Sequence, residues 1–237
     1  MLNAIQSQLA GLSNPEDGAF LQRYFKTGPG QYGEGDLFRG IRVPVLRKLS
    51  RAHQDISLEL AERLLHSAYH EDRLLALLIL VRNYANSSDS ERAGIYTLYL
   101  DNTRFINNWD LVDTSAEHIV GAYLNGKSRE PLYQLARSRS LWERRIAILA
   151  TFHFIKQGKF DETLGIAEIL LTDKQDLIHK AVGWMLRETG KRDMQREEAF
   201  LGAHYRQMPR TMLRYAIEKF PKDKRQGYLK GTVPPGI

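Results

Sequence analysis

The sequence predicts an all-α chain, and three observations carry that expectation. All eight prolines sit at positions 15, 29, 44, 131, 209, 221, 234 and 235, each at an apparent helix start or in a connector. Period-two alternation of β-branched residues is missing, which argues against sheet. Finally, polar anchors recur inside apolar helices at Arg73, Asp113, Arg145, Lys180 and Arg214, with separations of 40, 32, 35 and 34 residues. A period near this length in a helical chain predicts a right-handed α-solenoid of HEAT-like helix pairs. Equivalent anchors would line one concave groove, basic apart from Asp113.

Taken in order, residues 2–13 and 16–27 predict two short helices split by Ser13-Asn14-Pro15. Gly28 to Gly35 follows, the most glycine-rich stretch of the chain. It lacks GxxxxGK[ST] and follows no strand, so it reads as a flexible connector rather than a phosphate loop. Helices are then expected over 44–53, 57–68, 70–85, 88–103, 108–125, 129–138, 140–157, 160–171, 173–190, 194–206, 209–220 and 222–230. The organisation expected is one domain over 1–237, with N-terminal helices and connector in 1–40 and a flexible tail in 231–237.

Composition narrows the function classes. The 237 residues are 43% hydrophobic and 26% charged, as in soluble globular proteins. No apolar run approaches the ~20 residues of a bilayer span. The N-terminus lacks the basic and apolar blocks of a signal peptide. Zero cysteines exclude disulfide and thiolate chemistry and fit a reducing cytoplasm. Charge is uneven: residues 1–136 hold 14 Lys+Arg against 16 Asp+Glu, and residues 137–237 hold 20 against 12. A basic C-terminal half fits a polyanionic partner or an ordinary solvated surface.

The stretch that carries chemistry is Asn107-Asn108-Trp109-Asp110-Leu111-Val112-Asp113-Thr114. Trp109 and Asp113, four residues apart, project from one helix face. An indole π-face beside a carboxylate suits a cationic ligand. The residues alone leave another reading open, because Thr114-Ser115-Ala116-Glu117 fits a capping box that Asp113 would merely precede. Trp109 and Trp184 equally suit a core, and Arg145 and Lys180 equally suit solvated or inter-repeat contacts. Trp142 reads as core, and His153 and His179 as structural; no histidine spacing matches a metal site.

Three segments together resemble the DNA alkylation repair family of HEAT-like-repeat alkylpurine DNA glycosylases. They are Asn108-Trp109-Asp110-Leu111-Val112-Asp113, Leu141-Trp142-Glu143-Arg144-Arg145-Ile146-Ala147-Ile148-Leu149 and His179-Lys180-Ala181-Val182-Gly183-Trp184-Met185-Leu186-Arg187-Glu188, and the similarity runs over roughly 15–220. The resemblance implies a monofunctional glycosylase that excises cationic N3- or N7-alkylated purines from double-stranded DNA. It needs no cofactor and no metal, and it acts as a monomer in the cytoplasm, on the nucleoid of a bacterium. It implies Asp113 as the catalytic carboxylate, with Trp109 and Trp184 flanking the deoxyribose. Arg145 and Tyr24 would contact DNA beside the lesion, with Lys180, Arg214, Arg144 and Arg73 as further backbone contacts. The contrasting class is a catalytically silent HEAT-like scaffold that binds DNA or protein; such a chain would be expected to lose the aromatic and acidic residues retained here.

Overall fold

A computed structural model describes residues 1–233, and the last four residues of the expected flexible tail lie outside the described residues. The fold is all-α. Among the described residues the only extended pairing is an isolated parallel bridge between Leu37 and Tyr69. Contacts divide the chain into two compact units, Met1–Ile119 and Val120–Ile237.

The first unit holds α1 (Leu2–Gly11), α2 (Pro15–Tyr24), α3 (Val43–Ala52), α4 (Leu58–Leu65), α5 (His70–Asn86), α6 (Asp89–Asp101) and α7 (Trp109–Ala116). Local chemistry sets their starts. Asn14 caps α2, its Oδ1 accepting from the amides of Glu16 and Asp17 at 3.0 and 3.2 Å, and Pro15 takes the first helical position. Ser88 and Glu91 form a capping box on α6. Helix α5 is the centre, packing against α3, α4, α6 and α7. Its Leu75, Leu77, Ile79 and Leu80 are completely buried.

The start of α5 departs from what its sequence suggests. His70, Glu71, Asp72 and Arg73 are consecutive polar residues, and all four are buried. Their partners lie outside α5, on the chain between α2 and α3 and at the start of α7. The Glu71 carboxylate accepts from the backbone amides of Arg39, Gly40 and Ile41 at 2.9, 2.8 and 3.2 Å. Asp72 pairs with Arg39 at 2.6 Å and Arg73 with Asp36 at 2.8 Å. The two carboxylates also suit the positive end of the helix. Gly40, at φ 79°, lies so near α2 that a Cβ would meet the Asn14 carbonyl oxygen at 2.1 Å.

These contacts fasten residues 36–41, which directly follow the Gly28–Gly35 segment expected to be a flexible connector. Within that segment the Gly33 amide donates to Lys26 O at 3.1 Å and the Gly30 amide donates to Glu34, while Leu37 beyond it exchanges hydrogen bonds with Ala68 and His70. The segment is a succession of tight turns, and the α5 N-terminus holds the chain that follows it.

The second unit holds α8 (Ala122–Leu124), α9 (Glu130–Ala136), α10 (Leu141–Ala150), α11 (Phe152–Ile155), α12 (Asp161–Ile169), α13 (Asp176–Gly190), α14 (Met194–His204), α15 (Arg210–Ala216) and α16 (Lys222–Lys230). Here α13 is central, packing against α10, α12, α14 and α15. Gly183 permits the close approach of α15, since a Cβ there would meet Met212 O at 2.4 Å.

Three expected helices differ in detail. The 108–125 helix passes through a π-helical turn, Glu117–Gly121, after α7. The 140–157 helix breaks at Thr151, whose Oγ1 donates back to Ile148 O at 2.7 Å. The 209–220 helix tightens into a 3-10 turn over Ile217–Lys219. Trp142 is buried, as a core residue should be.

Candidate active site

Helix α7 begins at Trp109. Asn108, fully buried with extended backbone, caps it by accepting the Trp109 amide on its own Oδ1 at 2.9 Å. Asp113 therefore lies one full turn inside the helix, and the capping-box reading of Thr114 to Glu117 does not hold. Trp109 and Asp113 share one face of α7, and both are half-buried. On the opposite face Ser115 is buried; its hydroxyl meets Leu111 O at 2.6 Å and the Tyr99 hydroxyl at 2.9 Å. Burial pushes the Tyr99 phenol well above its ordinary range, and the Asp113 charge pushes it further, while Ser115 pulls it down.

Trp109 is walled by aromatics from α2 and the connector. Tyr24 meets it edge-on at 6.2 Å, and Phe25 stacks on it at 5.3 Å and 20°. Phe38 stacks on Phe25 at 5.1 Å, and His70 on Phe38 at 4.6 Å. Tyr24 remains 55% exposed, so a bound molecule can reach it. Beside this array lies an apolar cavity of about 340 Å³, lined by Phe20, Tyr24, Phe25, Phe38, Val43 and Trp109 among others.

A buried charge network holds the start of α7. The His70 ring sits between two carboxylates, 2.8 Å from Asp110 and 3.6 Å from Asp36. Asn107 donates to Asp36 at 3.2 Å. Burial alone would lower the His70 pKa, but the charge and hydrogen bond of Asp110, with the Asp36 carboxylate on the other side of the ring, raise it to about 9 despite Arg73 nearby. Burial likewise pushes the Asp36 carboxyl up, and His70 and Arg73 reverse this and hold it below its usual value. Because Asp110 follows Trp109, an imidazolium bound to Asp110 fixes the indole's backbone.

Sequence reasoning missed this network and the Phe25–Phe38 wall. The four polar residues opening α5 were the available signal.

The remaining expected site residues divide by exposure. Arg73 is 4% exposed and its guanidinium is engaged by Asp36, so it presents no face to a phosphate. In the second unit, Arg144 pairs with Asp173 at 2.6 Å and donates to Ser138 O and Arg139 O. Arg145 is buried on α10, with Nη1 donating to Leu177 O at the start of α13. Arg73 is enclosed by protein partners, and Arg144 is engaged by them while staying partly exposed. Lys180 is partly exposed and pairs with Asp176 at 2.7 Å. Trp184, one turn further along α13, is half-buried and lies 6.0 Å from Phe152. Arg214 is exposed on α15. His179 meets the backbone oxygen of Asp173, and His153 meets Gln157. Among the described residues, no cluster of His, Asp or Glu is arranged to hold a metal ion.

A family described as DNA alkylation repair enzyme matches residues 5–220. This chain belongs to that family. The family's work is the repair of alkylated DNA, which makes DNA the substrate. A solved structure described as a predicted DNA alkylation repair enzyme from Enterococcus faecalis has a similar fold, with a TM-score of 0.67. The similarity covers 89% of this chain and 97% of that one at 18% identity, a level that speaks of fold alone. Comparison with curated proteins gave no match. No helix among the described residues is long and apolar enough to cross a membrane.

Proposed function

We propose that this member of the DNA alkylation repair family is a monofunctional DNA glycosylase, which hydrolyses the N-glycosidic bond of cationic N3- or N7-alkylated purines in duplex DNA. The observation that carries the reading is the placement of Trp109 and Asp113 one turn apart on one accessible face of α7. The family match runs through both compact units, which supports treating them as one functional domain of HEAT-like repeats.

Alkylation puts a positive charge on the base. The C1′–N bond breaks with its electron pair passing to the base nitrogen, so the base leaves neutral and the sugar becomes oxocarbenium-like. A carboxylate held on a rigid helix stabilises that cation, and Asp113 is suited to this role. Water forms the new C1′–O bond, and its proton passes to Asp113 and then to solvent. The indole face of Trp109 favours the developing positive charge and excludes competing water. Tyr24, held edge-on to Trp109, extends the aromatic surface presented to the nucleotide. The adjoining cavity gives an apolar adduct room to lie.

In the second unit, Trp184, Lys180 and Arg214 are proposed as further contacts to the DNA strand, with Arg145 acting through the backbone it holds. The chemistry assigned to these residues calls for no cofactor, and a cytoplasmic monomer suffices.

The test is release of methylated purine from N-methylated duplex DNA, with wild type beside Asp113→Asn. Release that disappears in the variant is expected. Equal release would refute the carboxylate's role. No release from wild type, with DNA binding kept, would favour the silent scaffold.

A further inference from the structure

The first unit is acidic overall, with 12 Lys+Arg against 15 Asp+Glu over residues 1–119. Several of its arginines are already neutralised: Arg39 by Asp72, Arg42 by Asp17, Arg73 by Asp36 and Arg92 by Asp89. One place reverses this pattern. A cleft of about 500 Å³ along α3 and α5 is lined by Arg47, Arg51 and Arg82, with Ser50 and Asn86, and no carboxylate lines it. Leu78, Val81 and Ala85 complete the lining.

The donors of this cleft are uncommitted. Arg47 and Arg51 are exposed and make no side-chain hydrogen bond or ion pair among the described residues. Arg82 spends only Nε, on Gln54 Oε1 at 2.8 Å. Arg47 and Arg51 stand one turn apart on α3, about 5–6 Å between Cβ atoms. Arg82 comes from α5, against which α3 packs. Three like charges around an apolar-floored concavity repel one another, and a bound anion relieves that repulsion. Guanidinium forks suit phosphate oxygens, which accept two parallel hydrogen bonds.

We propose that this cleft is a phosphodiester site that grips the DNA backbone away from the damaged nucleotide, a role that neither the sequence register nor the family match assigns to Arg47, Arg51 and Arg82. The inference rests on DNA being the substrate. Position favours a backbone contact over a catalytic one. Leu78 and Arg82 follow His70 by 8 and 12 residues along α5, which places them about 12–18 Å along the helix from the aromatic array. At about 3.4 Å of duplex axis per nucleotide of one strand, that is roughly four to five nucleotides. The site replaces the phosphate contact that Arg73, buried at the other end of α5, cannot make.

The experiment is fluorescence anisotropy with undamaged labelled duplex between about 50 and 200 mM salt, where each neutralised phosphate contributes about 0.9 to the slope of log K against log salt. Arg47→Gln, Arg51→Gln and Arg82→Gln combined should flatten that slope by about 2 and weaken low-salt binding at least about tenfold. The matching triple lysine variant should keep most of the slope. All three side chains are exposed, so unchanged thermal melting is expected and checks the fold.

A triple glutamine variant with the wild-type slope overturns the proposal, as does wild type that fails to bind duplex. Displacement of duplex by inorganic phosphate beyond an ionic-strength-matched chloride control would make this a free-phosphate site and overturn it too. So would loss of binding to phosphatidylserine vesicles with duplex binding intact. Because undamaged duplex is the probe, the outcome is separable from excision. A flattened slope in a protein without glycosylase activity leaves this site standing, and excision with an unchanged slope removes only this site.

Discussion

Removing the proton from His70 should destabilise the first unit in a defined pH window. The folded protein holds that proton to about pH 9, because the imidazolium lies between Asp110 and Asp36, whereas the unfolded chain releases it near 6.5. Between those values the native state binds more protons than the unfolded state, so stability falls as pH rises. The difference of about 2.5 pH units corresponds to about 3 kcal/mol, fully present below pH 6.5 and lost by about pH 9. His70→Gln retains an amide donor toward Asp110 and cannot carry the charge. Urea denaturation of both proteins from about pH 6 to 10 should show the variant less stable at the acid end, with the gap closing toward alkaline pH. Ring-proton NMR of His70 reads the same titration directly. A gap that stays constant over this range, or a His70 that titrates near 6.5, would refute the charged network.

Glu197 predicts a second pH dependence. Burial pushes its carboxyl up to about 8, with Glu198 adding to the shift; stability should therefore fall on the order of 5 kcal/mol as pH rises from about 4.5 to 8. Glu197→Gln should remove that loss, matching wild type near pH 4.5 and exceeding it at pH 8 in denaturant melts. Glu71→Gln should cost about 2 kcal/mol, because the amides of Arg39, Gly40 and Ile41 lose a charged acceptor; proteolysis between α2 and α3 should speed up. Trp109→Ala should slow excision by about 3- to 30-fold, the loss of a desolvated cation–π contact, with little change in affinity for undamaged duplex. Arg145→Ala should lower stability by about 1–3 kcal/mol, since it removes a buried donor to Leu177 O; an unchanged melt would return Arg145 to the DNA surface.

Helix positions were legible because their causes are local. Proline at the start of α2, α3 and α9, and a side-chain cap on α2, α6 and α7, are readable within a few residues of each boundary. The Trp109–Asp113 pairing was legible for the same reason, since helical periodicity alone puts both on one face. What the repeat register could not convey was exposure. Arg73 and Arg145 occupy positions that periodicity groups with Lys180 and Arg214, and Arg144 adjoins one of them. Their fates depend on partners far away in sequence: Asp36 is 37 residues from Arg73, Asp173 is 29 from Arg144, and Leu177 is 32 from Arg145.

That dependence bears on how the site is built. In a helical repeat the register offers the same angular position many times, and a local partner decides whether it stays structural or faces a ligand. At α5 the His70–Arg73 turn is consumed by residues 36–41 and by Asp110. The cations left over lie two to three turns further along, at Arg82 and on the adjoining α3. The turn that gives up its charges is the one that fixes Trp109 through Asp110 and His70, and Phe25 through Phe38 and His70. Burying polar residues there stiffens the wall against which the reacting nucleotide is proposed to lie. Backbone affinity is then left to residues whose mobility costs the chemistry nothing. On this argument, substitutions at the start of α5 should change excision more than binding, and substitutions at Arg47, Arg51 and Arg82 should do the reverse.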